Sequence, residues 1–234
     1  MAVLNLLRSF GRRQAAACGA LALGSGLALH RSGLVRSMGD GADDRALGAL
    51  WAQAFDGMID VPGAGALSKE GVLFMVPATD SDDSAVEWPA VFRDGVVCSL
   101  TAFNPMGKDR PEAENRRGNR ELHAALRRLD APPRASMWHS FGFHPAEGWR
   151  EDGFSVAYAA AEAEEGRAAI LRLAREFEQA AIYVYRVDAA GALVRTVEWC
   201  DPASKEPSTS DKMALCRTPP DTPLARPSAA KLSC

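Results

Sequence analysis

The 234-residue sequence is poor in aromatic residues, at 7%, and its five cysteines (Cys18, Cys98, Cys200, Cys216 and Cys234) form no CxxC pair. That spacing suggests neither a zinc ribbon nor a disulfide framework, and scattered thiols fit a reducing compartment. There is no GxSxG elbow, no GxGxxG following a strand and no GxxxxGK[ST] loop, so serine hydrolases, Rossmann dinucleotide enzymes and P-loop proteins are disfavoured. A formal net charge of -3 gives no chain-wide basic field, and nucleic acid is not an expected partner. With 47% hydrophobic residues, the chain can still bury a sizeable core.

Acidic residues are missing from residues 1–39, which carry Arg8, Arg12, Arg13, Arg31 and Arg36, four serines and a run of small apolar residues from Ala15 to Leu29. An acid-poor, Arg- and Ser-containing start is the mark of an organelle transit peptide, and residues 1–38 are read as one. Val3, Leu7, Phe10 and Gln14 share a helical face, which favours mitochondrion over plastid. The alternative is a secretory signal, because a basic start followed by an apolar run fits that pattern too. The run is short for a membrane span, so no stable transmembrane segment is expected.

Asp43 and Asp44 suit a helix start and introduce apolar spacing over 43–58. Gly71–Val76 reads as a strand, and Trp88–Phe92 with Val96–Phe103 as two strands about the Asp94-Gly95 turn. Pro111 suits the first turn of a helix over 112–129. Residues 135–150 show no clear period, and Phe154–Tyr158 is a short strand. An amphipathic helix over 161–180 leads into strands over 181–188 and 192–200. The expected domain, residues 43–200, is α/β or α+β, a single mixed sheet covered by helices in the order α-β-β-β-α-β-α-β-β. The Pro/Ser/Thr-rich stretch 201–234 reads as a disordered tail.

The helix after Asn104 carries the best functional signal. At about 100° per residue, Asn115, Asn119, Leu122, Leu126 and Leu129 fall on one stripe roughly 80° wide, polar early and apolar late. If the leucines face the sheet, the asparagines lie at the helix N-terminus beside the loop leaving the preceding strand, where ligands bind in α/β folds. Lys108, Arg110, Arg116 and Arg117 add positive charge, suiting a small polar or anionic ligand. The competing reading is structural: Asn104 before proline is a common turn former, and Asn115 or Asn119 can pair loop backbone. Gln179, at a helix-to-strand junction, either folds over the sheet edge or acts as a capping amide.

The stretch from Leu100 to about Asp188 contains LTAFNP, the pair Glu114-Asn115 ahead of Leu122 and Leu126, then GWREDGF and REFEQAAIYV. It resembles the bacterial family grouped as domain of unknown function 3293, which has no established activity. The resemblance implies that Asn104, Pro105, Asn115, Glu151 and Gln179 occupy the family's recurrent polar and turn positions. Glu178 stands where a glycine is usual.

His139, His144, Glu147 and Glu151 are metal-capable but have no i,i+4 ligand spacing, so no metal site is assigned. Glu151 is the candidate catalytic residue, since Trp149 and Phe154 would desolvate its carboxyl and raise its pKa; a salt bridge to a nearby arginine is its structural alternative. Two functions follow. One is a small-molecule binding or hydrolytic domain, for a nucleotide or phosphorylated metabolite, with ligand-binding Asn104, Asn115, Asn119 and Gln179. The other is a non-catalytic interaction module using a sheet edge or the aromatic 138–149 segment. No cofactor is identified. Convergence of the five polar residues on one pocket would favour the first.

Overall fold

A computed structural model describes residues 48–49, 51–79, 86–146, 148–204, 208–218 and 221–222. The proposed targeting peptide, residues 1–38, and residues 223–234 lie outside the described residues. Eight strands follow in chain order: β1 (Phe55–Ile59), β2 (Val72–Pro77), β3 (Gly95–Thr101), β4 (Ser136–His144), β5 (Trp149–Ala159), β6 (Ala181–Val187), β7 (Leu193–Trp199) and β8 (Thr209–Leu215). Helix α1 (Ala90–Arg93) precedes β3, α2 (Glu112–Arg127) joins β3 to β4, and α3 (Ala163–Glu176) follows β5. Every strand pairing is antiparallel, and the sheet closes on itself in the order β1-β2-β8-β7-β6-β3-β5-β4.

The middle of the chain is the organising unit. β3 and β4 flank β5, and β5 and β6 flank β3, so α2 and α3 each cross between parallel strands with one antiparallel strand between them. This interlocked pair of split β-α-β units places both helices outside the barrel. Alternation along the strands then sorts side chains to two sides. Cys98, Leu100, Phe154, Val156 and Val184 face outward and meet Leu122 and Leu126 of α2 and Ile170 and Leu173 of α3. Burying each such leucine or isoleucine contributes about 1.5–3 kcal/mol. Val97, Trp138, Ala157, Tyr185, Leu193 and Met213 face inward and surround Phe92 of α1.

The barrel corrects the expected architecture, which was a single mixed sheet under helices. Three segments account for the difference. β4 lies in the stretch that shows no period, because Trp138 points inward while Phe141 and Phe143 lie on the outer face, so aromatic residues occupy both sides. β8 lies in the expected disordered tail. Only Met213 of its TSDKMAL sequence is buried, yet it pairs with both β2 and β7 and completes the closure. The expected helix over 43–58 is helical at residues 48–49 and 51–52 and gives way to β1 at Phe55. Trp88–Phe92, expected as a strand, runs into α1 behind Pro89, whose φ of -55° suits a helix start. No helix among the described residues is long and apolar enough to cross a membrane.

Candidate functional site

An eight-stranded barrel has an interior just wide enough to be filled by side chains or to hold one small ligand. Here it does both. Four strands change character as they pass the middle of the lumen: β3 from Val97 to Ser99 and Thr101, β5 from Ala157 to Ser155, Gly153 and Glu151, β4 from Trp138 to Ser140 and Gly142, and β6 from Tyr185 to Tyr183 and Ala181. The register sets these residues side by side, with Ser99 opposite Ser155 and Tyr183, Thr101 opposite Gly153, and Gly142 opposite Glu151. Small residues leave space at this end, a cavity of about 90 Å³ whose lining includes Trp51, Asp56, Ser140, Trp149, Glu151 and Gln179. Gly153 is required by a close approach, since a Cβ there would sit 2.3 Å from the Leu100 carbonyl oxygen.

The cavity lies where β3 and β4 end and where β5 and β6 begin, beside the N-terminus of α2 and the C-terminus of α3. The polar residues singled out in the sequence gather at this mouth, but only Glu151 and Gln179 line the cavity itself. Asn104 is one step behind. Its Nδ2 donates to Glu151 Oε1 at 2.8 Å, and its Oδ1 accepts from Arg110 N at 3.1 Å and from Asn115 Nδ2 at 2.9 Å. Asn115 in turn accepts from Asn104 N at 2.9 Å and donates to the Arg110 carbonyl. Asn119 accepts from Ala102 N at 2.8 Å and donates to the Asp152 carbonyl at 2.6 Å. The amides of Asn115 and Asn119 are thus committed to loop and strand backbone. Gln179 Nε2 donates to the Phe103 and Phe177 carbonyls, bridging the two loops at the mouth.

Strain collects at the same place. Asn104, Met106 and Glu178 all have positive φ, at 44°, 52° and 53°, and Met106 N donates to the Glu178 carbonyl at 2.8 Å. Such conformations cost non-glycine residues energy and persist where surrounding contacts enforce them, as the Asn104–Asn115 exchange does here. Glu178 has a left-handed backbone of the kind that glycine adopts freely.

Glu151 is half-buried at the cavity wall. Burial pushes its carboxyl up to about 7, against the opposing hydrogen bond from Asn104 and with a further upward push from the charge of Asp109. Trp149, expected to desolvate it, shares the cavity lining, whereas Phe154, the other expected neighbour, faces outward toward the helices. No arginine pairs with Glu151 among the described residues.

Deeper in the lumen lies a cluster that sequence reasoning missed. Arg195 of β7 is 0% exposed; its Nη1 donates to Asp56 Oδ2 at 2.7 Å and to the Ala54 carbonyl, and its Nη2 donates to the Trp51 and Ala52 carbonyls. The guanidinium also lies 4.7 Å over the Tyr183 ring. Burial pushes the Asp56 carboxyl up while Arg195 and the Tyr185 hydroxyl pull it down. Arg195 occupies an inward position between Leu193 and Val197, so alternation marks it as a buried charge once β7 is recognised. Its partner Asp56 lay in a stretch read as helix, which hid the pair.

Three of the arginines expected to charge the mouth are paired at the surface. Arg110 meets Glu178, Arg116 meets Glu112 and Arg117 approaches Glu121. His139 packs against His123 and Phe154 on the outer side, and His144 stacks beside Trp149, while Glu147 lies outside the described residues. No group of three or more metal-capable side chains occurs among the described residues.

The fold and site define a closed antiparallel barrel, plugged at one end of its lumen and polar and open at the other. Residues 100–182, running from β3 through both crossover helices to β6, match the model of a family described as a protein of unknown function, DUF3293. No curated protein and no solved structure matches the chain. The matched segment contributes Glu151, Gln179 and the asparagine brace. Asp56 and Arg195 come from strands outside it.

Proposed function

We propose that the barrel is a binding domain for one small polar molecule held in the open half of its lumen. The observation that carries this reading is the concerted change on β3, β4, β5 and β6 from bulky apolar to small or polar inward residues, which leaves a cavity where a filled core would otherwise continue. The brace behind Glu151 supports the same reading, because an acceptor held by Asn104 and Asn115 is fixed before any ligand arrives. A nucleotide or phosphorylated metabolite is not what the lining suits: no lysine, arginine or histidine is among the described residues that line the cavity, and Arg195 behind it is already paired with Asp56. Glu151 itself, desolvated and braced, suits proton exchange with a bound molecule. The interaction-module alternative loses its motive, since the described strands close without a free edge and residues 138–149 are mostly the packed strands β4 and β5.

The test is thermal-shift screening of the full chain against amines, amino acids, polyols, sugars and phosphates, beside a Gly142→Leu variant. A Cβ at Gly142 meets only Trp149, at 3.7 Å, so a larger side chain there fills the cavity without striking backbone. A compound that raises the melting temperature of the parent protein and not of the variant is the expected result. A panel that stabilises neither protein, or both equally, would overturn the proposal.

A further inference from the structure

We infer that the molecule held in the lumen is a small organic cation, an ammonium seated against the Glu151 carboxylate and the aromatic wall of the cavity; this rests on the lumen-binding proposal above. Charge is the first argument. The two carboxylates in the lining differ in what already satisfies them. Asp56 receives Arg195 Nη1 at 2.7 Å and the Tyr185 hydroxyl, so its charge is neutralised inside the protein. Glu151 accepts a single described hydrogen bond, the 2.8 Å contact from Asn104 Nδ2, which leaves acceptor capacity facing the cavity. No basic side chain of the described lining competes for it. An ammonium supplies both the missing charge and N–H donors in one group, whereas a phosphate or carboxylate would meet only like charge.

The aromatic wall of the cavity points the same way. Trp51, Trp149, Tyr183 and Tyr185 contribute aromatic rings to the lining, beside aliphatic residues and the small and polar ones already named. Aromatic faces attract cations, most strongly where water is excluded. The barrel already uses this attraction twice, with the Arg195 guanidinium over Tyr183 and the Arg150 guanidinium 3.8 Å over Phe141. The cavity, at about 90 Å³, restricts the occupant to a few heavy atoms.

The groups facing Glu151 set how binding responds to pH. Asp109 pushes its pKa up, Asn104 pulls it down, and the Tyr183 hydroxyl across the lumen is held neutral because burial pushes its pKa well up. An ammonium binds the ionised carboxylate. With Glu151 titrating near 7 and simple alkylammonium ions remaining charged, affinity rises about tenfold from pH 6 to pH 8.

The experiment is an amide NMR titration of the full chain with methylammonium and ethanolammonium chloride, with ethylene glycol as the neutral isostere and inorganic phosphate as the anion. The expected result is saturable movement of the Gly142, Gly153 and Tyr183 signals with the two cations and at least tenfold weaker response to glycol and phosphate. The cation affinity follows the pH profile above and falls at least tenfold in Glu151→Gln. Equal affinity for glycol, or affinity independent of pH, would overturn the inference, and the pH profile decides even if the Gln variant does not fold. If a neutral or anionic compound binds and Gly142→Leu blocks it, the ligand class is wrong while lumen binding stands. If no compound of either panel binds, both readings fall.

Discussion

At one end of the lumen, Trp88, Trp138 and Tyr185 set their rings edge-on around Phe92 at centroid distances of 6.3–6.4 Å, and Val97, Ala157 and Leu193 fill the remaining space. At the other end, reached by moving two to six residues along the same strands, Ser99, Ser140, Gly142, Gly153 and Glu151 line a cavity. The backbone frame is common to both ends, so their difference is entirely a matter of side chains. A barrel of this size has no need of an open half to be stable, and filling it with apolar residues would bury more surface. The polar end is therefore the part of the lumen that stability alone does not require, which is consistent with the proposed site.

The plugged half is where truncation costs most. Phe92→Ala removes the ring around which three aromatic neighbours pack, and unfolding in urea should show a loss of about 3–5 kcal/mol. A loss no greater than that of Ser99→Ala would show that the two halves are equally tolerant and would remove the basis of the comparison.

In the open half, the largest effect depends on pH. The folded protein holds the Glu151 proton up to about 7, whereas an unfolded chain releases it near the ordinary value of 4.5. Between these values the folded state binds more protons, so stability falls as pH rises through the window from about 4.5 to 7 and levels off above it. Glu151→Gln removes this dependence. Comparing unfolding free energies of the two proteins at pH 4.5 and pH 8 should give a difference in slope on the order of 2–3 kcal/mol. Parallel pH profiles would show that Glu151 is solvated as an ordinary surface carboxylate.

The brace is smaller again. Asn115→Ala leaves the Asn104 N–H and the Asn104 Oδ1 short of a partner in a buried loop, and should cost about 1–3 kcal/mol. Leu126→Ala, beneath the same helix, should cost about 2–5 kcal/mol. A loss under ~0.5 kcal/mol for Asn115→Ala in urea would show that water replaces the amide readily and that the loop is held by other contacts.

Much of this comparison was present in the sequence, but unevenly. The stripe from Asn115 to Leu129 gave α2 its orientation: Asn115, Asn119, Leu122 and Leu126 are buried, and Leu129, just past the end of the helix, is half-buried. Glu151 and Gln179 were singled out from their neighbours and from family resemblance, and both reach the cavity. What stayed hidden was closure. β4 places aromatic residues on both faces, which erases the alternation that marks a strand, and β8 is so polar that its only strong cue is the pairing it finds in three dimensions. Without those strands a barrel cannot be distinguished from an open sheet, and Asp56 and Arg195 cannot be brought together across 139 positions of sequence.

The smallest expected effect lies at Glu178, where sequence and structure meet most directly. Its φ of 53° is left-handed, a conformation that costs a residue with a Cβ about 1–2 kcal/mol. Glycine avoids that cost but loses about 0.5–1 kcal/mol through the greater freedom of its unfolded chain. Glu178→Gly also removes the exposed ion pair with Arg110 at 3.2 Å, worth about 0–1 kcal/mol. These contributions nearly cancel, so Glu178→Gly should change stability by less than about 0.5 kcal/mol. Glu178→Val loses the same pair and adds a branched Cβ at positive φ, and should cost about 1–2 kcal/mol. Urea melts of the two variants separate backbone from side chain. If both lose the same amount, the ion pair rather than the turn conformation holds this edge of the mouth, and Gln179 owes its position to Arg110 instead of to the left-handed residue before it.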